Sequence, residues 1–279
     1  MKQYRSTRFW VTGVLIITLA LAFLPRFGQP VSAISPDIVI SQVYGGGGNS
    51  GATYTNDFIE LFNRGTSPVS LDGWSVQYAS ATGTGNFGSS STQITELPSV
   101  SLDPGQYLLI QEAQGSGGTT SLPTPDVTDS SPIAMSASGG KVALTNIATS
   151  LGCNGGSTPC TPVALASIID LVGWDGANFF EGSAAPGTSN TTAILRINDG
   201  CTDTDDNGAD FTTGAPNPRN TASPLHFCTG PTNPSGQGVA DPGLVQAGET
   251  SLLTVVVTPG ENPISTGIAV TCDLSAIGG

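Results

Sequence analysis

Apolar residues in this chain come in short runs of strand length, separated by turn signals. Asp37–Tyr44, Asp57–Phe62, Gly73–Tyr78, Gln106–Ile110, Lys141–Leu144, Ile168–Val172 and Ala193–Ile197 each carry such a run, and several alternate apolar with polar positions. A period of two turns one face of a strand inward and the other outward. Between the runs stand Asp72-Gly73, Asn154-Gly155, Asp175-Gly176 and Asn207-Gly208, pairs suited to tight turns. Roughly nine short strands with turn signals this closely spaced predict an all-β sandwich. The 37 Gly and 20 Pro agree with it, since both residues penalise helix interiors.

The first residues follow a different pattern. Lys2, Arg5 and Arg8 precede an apolar run from Phe9 to Leu24, and the segment closes on Val31-Ser32-Ala33. A basic start, a short apolar middle and small residues at −3 and −1 predict a secretory signal peptide over residues 1–33. The apolar run has 16 residues, diluted by Thr12, Gly13 and Thr18. A membrane span needs about 20. The rest is therefore expected to be secreted and extracellular, with no membrane attachment after cleavage.

Charge narrows the partners. All 21 acidic residues lie beyond position 33, against four basic ones there (Arg64, Lys141, Arg196 and Arg219), a formal charge of −17. Such a surface repels phosphate backbones and anionic lipid, which excludes electrostatic nucleic-acid and membrane-surface binding by this segment. An extracellular or cell-envelope ligand, whose identity the residues do not give, is the expected partner.

Three motifs in order carry a family resemblance: Asn56-Asp-Phe-Ile-Glu-Leu-Phe-Asn63, Val69-Ser-Leu-Asp-Gly-Trp74 and Leu102-Asp-Pro-Gly-Gln-Tyr-Leu-Leu-Ile110. Together they resemble the lamin-tail domain of bacterial secreted proteins. Ile169–Trp174 is similar to that family's penultimate strand, and Asp203–Phe211 with Pro216–Asn220 to its closing segment. The resemblance runs from about residue 36 to 222. It implies an immunoglobulin-like β-sandwich, here bounded at 36–228, in which Asp57, Phe58, Glu60, Asn63, Asp72, Gly73 and Trp74 are structural motif residues. It also places the acids before Asp210-Phe211 in a solvated hairpin.

Physical chemistry supports several of these positions independently. Leu71-Asp72-Gly73-Trp74 sets an Asp-Gly turn directly before a large ring that can fold back onto the sheet. The run Gly45–Gly48 predicts a wide loop or bulge; neither a following helix nor a Lys accompanies it, as a phosphate loop would require. Glu60 lies mid-strand among apolar neighbours, on the side of Phe58 and Phe62. A buried carboxylate there needs backbone donors or a basic partner such as Arg64 or Arg196.

Five cysteines remain to be placed: Cys153, Cys160, Cys201, Cys228 and Cys272. Cys153 and Cys160 flank a small loop, and Cys201 and Cys228 bracket the acidic segment. Disulfides fit an exported chain, although four cysteines allow three pairings and Cys272 is left over. A zinc site has little to draw on, with His226 the single histidine and no Cys-x-x-Cys.

Asp203, Asp205 and Asn207 alternate before Gly208, like the first half of an EF-hand calcium loop, with Asp210 close behind. The twelfth position is Gly214 rather than Glu, and no helices flank the segment, so a solvent-exposed Asn-Gly turn is the competing expectation. Calcium is the one candidate cofactor. No nucleophile elbow or Ser-His-Asp arrangement occurs, and the chain as given is not expected to be an enzyme.

Beyond Cys228 the composition changes. Residues 229–238 are rich in Pro, Gly and Ser, as linkers are. Residues 239–279, with Gly248–Gly260 and Ile268–Leu274 as strand candidates, resemble the start of a bacterial immunoglobulin-like repeat. Too few strands are present there to bury both faces. The functional expectation is an exported, non-catalytic interaction or positioning module, the N-terminal part of a longer secreted protein. The alternative is the targeting arm of an endonuclease/exonuclease/phosphatase-type hydrolase, a metal-dependent nuclease for instance, whose catalytic domain lies outside these residues.

Overall fold

The computed structural model describes residues 35–228, 233–260 and 267–271. The expected signal peptide and Cys272 lie outside them. Twelve strands build the main body: β1 (Ile38–Tyr44), β2 (Asn56–Asn63), β3 (Val69–Ser70), β4 (Ser75–Ser80), β5 (Ile94–Glu96), β6 (Ser101–Leu102), β7 (Tyr107–Gln114), β8 (Val127–Thr128), β9 (Gly140–Thr145), β10 (Ile168–Trp174), β11 (Ala193–Arg196) and β12 (Phe211–Gly214). Six form one sheet in the order β12-β11-β1-β2-β7-β8, four form a second in the order β10-β9-β4-β5, and β3 pairs with β6. This is the expected all-β, immunoglobulin-like sandwich. Among the described residues the helical pieces are short: α1 (Pro162–Ala166), α2 (Asn207–Asp210) and a 3-10 turn at Asn198–Gly200.

The period-two pattern places the core. Ile38, Ile40, Ile59, Leu61, Leu108 and Ile110 of the larger sheet meet Val76, Val142, Leu144, Val172 and Trp174 of the smaller one. The larger sheet is covered on its outer side as well, which alternation alone does not predict. Phe58 packs there with Tyr44, and Phe62 stacks on Tyr107, ring centroids 4.6 Å apart. The chain beyond β12 crosses this face and is tied down by Cys201–Cys228; Cys153–Cys160 closes the small loop before α1.

Several turns form as expected. Trp74 N donates to Leu71 O at 3.1 Å, Gly73 takes φ +76°, and the half-buried Trp74 ring packs on the core. Gly47 answers to a close approach rather than to positive φ: a Cβ there would lie 1.9 Å from the Asn56 carbonyl carbon. Asn207 departs from expectation. It is fully buried and opens α2, with Asp206 capping that turn, so no solvated hairpin forms. Buried partners override the Asn-Gly signal at this point.

Register shifts in the β1–β2, β2–β7 and β10–β9 pairings shape the interior. In β1 the register shifts between Ile40 and Gln42, leaving Ser41 as the extra residue and turning both Ser41 and Gln42 toward Glu60. In β10 the shift falls between Ile168 and Asp170, and Asp170 then shares the core-facing side with Val172 and Trp174.

Separately, β13 (Ser235–Asp241) and β14 (Leu252–Thr258) form a two-stranded hairpin. β13 includes part of the segment expected to be linker, and described residues 267–271 carry no strand.

Candidate functional site

The bulge in β10 sends a carboxylate between the two sheets, and β11 sends a guanidinium to meet it. Arg196 Nη2 donates to Asp170 Oδ2 at 2.7 Å, with both side chains fully buried. Arg196 Nη1 donates to Asp203 Oδ1 at 3.2 Å and lies 3.7 Å from Asp210 Oδ2. The guanidinium stacks 4.5 Å over the Phe211 ring. Arg64 reaches Asp203 Oδ2 at 3.4 Å from the rim.

The loop after β10 adds Glu181, also fully buried. Asn207 holds it: Asn207 N donates to Glu181 O, and Asn207 Nδ2 donates to Glu181 Oε2 at 3.2 Å. Burial, together with the charges of Asp170 and Asp203, pushes the Glu181 carboxyl up to about 10, and Arg196 offsets this only in part. Asp170, Glu181 and Asp203 each offer an oxygen within 4.8 Å of the other two.

The four residues of the expected calcium loop take separate roles. Asp203 pairs with the two arginines. Asn207 accepts from Gly173 N at 2.9 Å and donates to Leu171 O at 2.9 Å, bridging α2 to β10. Asp210 accepts from Thr204 N and Thr204 Oγ1 at 2.8 and 2.7 Å. Asp205 sits at φ +57° beside them. Arg196 lies within ion-pair distance of both Asp203 and Asp210.

Glu60 is buried with a basic partner, but that partner is Arg219 rather than Arg64 or Arg196. Arg219 Nη2 donates to Glu60 Oε1 at 2.8 Å, its backbone N donates to Oε2 at 2.6 Å, and Ser41 Oγ donates to Oε1 at 2.6 Å. The same guanidinium lies 3.7 Å over the Tyr107 ring. Among the other motif residues, Asp57 accepts from Gly47 N and Met135 N, and burial pushes its carboxyl up to about 7. Asn63 donates to Ser67 O and Leu102 O, and Asp72 accepts from Ser99 Oγ. All of these brace loops.

Sequence reasoning missed Asp170, Glu181 and Arg219 as site residues. The available signal was scarcity: with four basic residues beyond position 33, one placed mid-strand at Arg196 requires carboxylate partners. Nothing local marks Glu181.

Fold and site together define a disulfide-braced, immunoglobulin-like β-sandwich whose buried charges join its loops. Residues 32–157 match the family model of the Lamin Tail Domain. Strands β10 to β12 lie beyond the matched residues and complete both sheets. No curated protein matches the chain. The structure is similar to that of a DUF4876 family protein from Bacteroides thetaiotaomicron, at 14% identity and TM-score 0.46, over 69% of this chain and 75% of that one. Among the described residues, no helix is long and apolar enough to cross a membrane.

Proposed function

We propose that this chain is an exported, non-catalytic interaction or positioning module. The use of its ionisable side chains carries this reading. Glu60, Asp57 and Asp170 are sealed in the interior, and each is engaged by backbone donors, an arginine or both. Recognition then falls to the acidic exterior and the loops. The two disulfides support an oxidising destination.

The test is the intact mass of the full chain expressed with its own N-terminus and collected from the medium, before and after reduction. A product starting at residue 34 that shifts by two disulfides is expected. Retention in the cell with residues 1–33 intact overturns export. Turnover of DNA or a phosphomonoester by this chain, with magnesium or manganese supplied, overturns the non-catalytic assignment.

A second reading, the targeting arm of a secreted hydrolase, draws on the hairpin β13–β14. Val239, Leu252, Leu253, Val255 and Val256 are exposed on it, an apolar surface that calls for further strands. A natively secreted product tens of kilodaltons heavier than this chain, with metal-dependent nuclease activity, would favour that reading.

A further inference from the structure

We infer that Asp170, Glu181 and Asp203 form a buried calcium site that ties the loop after β10 to the segment after β11. This site differs from the loop pattern at 203–210, and only Asp203 is common to both. It is independent of the proposed module function and does not depend on which ligand the sandwich binds.

Three observations converge. First, the donor oxygens lie within 4.8 Å of one another. Calcium binds oxygen at about 2.3–2.6 Å, so two of its ligands can be no more than about 5 Å apart. Magnesium, at about 2.0–2.1 Å, requires a tighter set of about 4 Å. Second, Asp170 Oδ1 and Glu181 Oε1 have no hydrogen-bond partner, although both residues are fully buried. A carboxylate oxygen left so in the interior carries an uncompensated desolvation cost, which a coordinated cation removes.

Third, the charges do not balance. Asp170, Glu181, Asp203 and Asp210 surround Arg196, and Arg64 adds one more positive charge at the edge. Fully ionised, four carboxylates facing two guanidiniums leave two negative charges, which one divalent ion would balance. The three donors are hard carboxylate oxygens, which suits calcium over zinc or copper. The competing device is a proton held on Glu181, which requires no metal.

The experiment is isothermal titration of the full secreted chain with calcium chloride and, separately, magnesium chloride, after dialysis against a chelator. Melting temperature is followed in parallel. One calcium per chain is expected, within the millimolar range of extracellular modules or tighter, with a raised melting temperature and weaker magnesium binding. Glu181→Gln, which keeps the hydrogen bond from Asn207, is expected to weaken calcium roughly tenfold or more while the far-UV circular dichroism is unchanged. Asp205→Asn is expected to leave affinity within about threefold, since Asp205 is outside the proposed ligand set.

Absence of calcium binding and of any melting shift overturns the site and favours the proton. Binding that survives Glu181→Gln but is lost in Asp205→Asn places the ion in the 203–210 loop and equally overturns it. Neither result touches the export or activity measurements, so the two proposals fail separately.

Discussion

Asp170 and Arg196 face each other across the two sheets, and between them they satisfy both backbone groups of Ile40. Ile40 N donates to Asp170 Oδ2 at 2.6 Å, and Arg196 Nε donates to Ile40 O at 2.9 Å. The bulge beside Ile40 takes these groups out of the regular ladder, because β1 pairs with β11 only at Gln42 and Val43. The ion pair therefore works as an inter-sheet clamp on an irregular strand. Arg196→Met should cost about 3–5 kcal/mol, because it leaves buried carboxylates without their cation and opens the Ile40 carbonyl. Urea denaturation measures it, and a loss below about 1 kcal/mol would show that the clamp is not needed.

Arg219 performs a similar task on the outer face. It lies 159 residues from Glu60 in sequence, yet meets it with side chain and backbone together while stacking on Tyr107. Arg219→Ala should destabilise the fold by about 3 kcal/mol, since Glu60 is left buried and unpaired. Arg219→Lys should recover only part of this, because an ammonium supplies the charge but neither the fork nor the planar stack. Full recovery by lysine in the same denaturation series would reduce the contact to simple charge pairing.

The strands were legible because their information is local. Alternation in Asp57–Phe62 and Gln106–Ile110, and the turn at Asp72-Gly73, each specify their element within a few residues. The site was not, because Asp170, Glu181, Arg196 and Asp203 come from separate strands and loops that only the folded chain brings together. Asp170 follows the alternation of Val172 and Trp174 onto the core face, but nothing local names Arg196 as its partner. Asn207-Gly208 misleads for the opposite reason. Its local turn signal is strong, but Glu181, Leu171 and Gly173 capture the Asn207 amide and backbone in the interior.

The two disulfides should differ in weight according to the chain each closes. Cys201 and Cys228 are 27 residues apart, whereas Cys153 and Cys160 are 7 apart. Loop-closure entropy then predicts about 3–4 kcal/mol lost in a Cys201→Ser/Cys228→Ser variant, against about 2–3 kcal/mol for Cys153→Ser/Cys160→Ser. The longer bridge also holds the segment that delivers Arg219. Equal melting temperatures for the two variants would show that loop length does not govern their contributions.

Stability should fall as pH rises from mildly acid to mildly alkaline, and Glu112 supplies a traceable part of the change. Its carboxyl is fully buried, accepting from Ile133 N at 2.7 Å and Thr95 Oγ1 at 2.9 Å. Burial pushes it from 4.5 up to about 8; these hydrogen bonds pull it down, and the charges of Asp129 and Asp57 push it further up. Below pH 4.5 the group is protonated in both folded and unfolded chains, and its contribution is fully present. Between there and about pH 8 the unfolded chain releases the proton while the folded one keeps it. The unfolded state then binds fewer protons, and stability drops by about 1.4 kcal/mol per pH unit for one such group, levelling off above the folded value. Asp57, raised by burial from 3.8 to about 7, adds a drop of the same sign at lower pH. Glu112→Gln keeps an acceptor for Ile133 N and gains a donor for Thr95, but it cannot ionise. Urea denaturation at several values between about pH 5 and about pH 8 should therefore give a shallower decline for Glu112→Gln than for the parent, with the variant gaining most at the alkaline end. Parallel profiles for the two proteins would mean that Glu112 is already ionised in the folded sandwich.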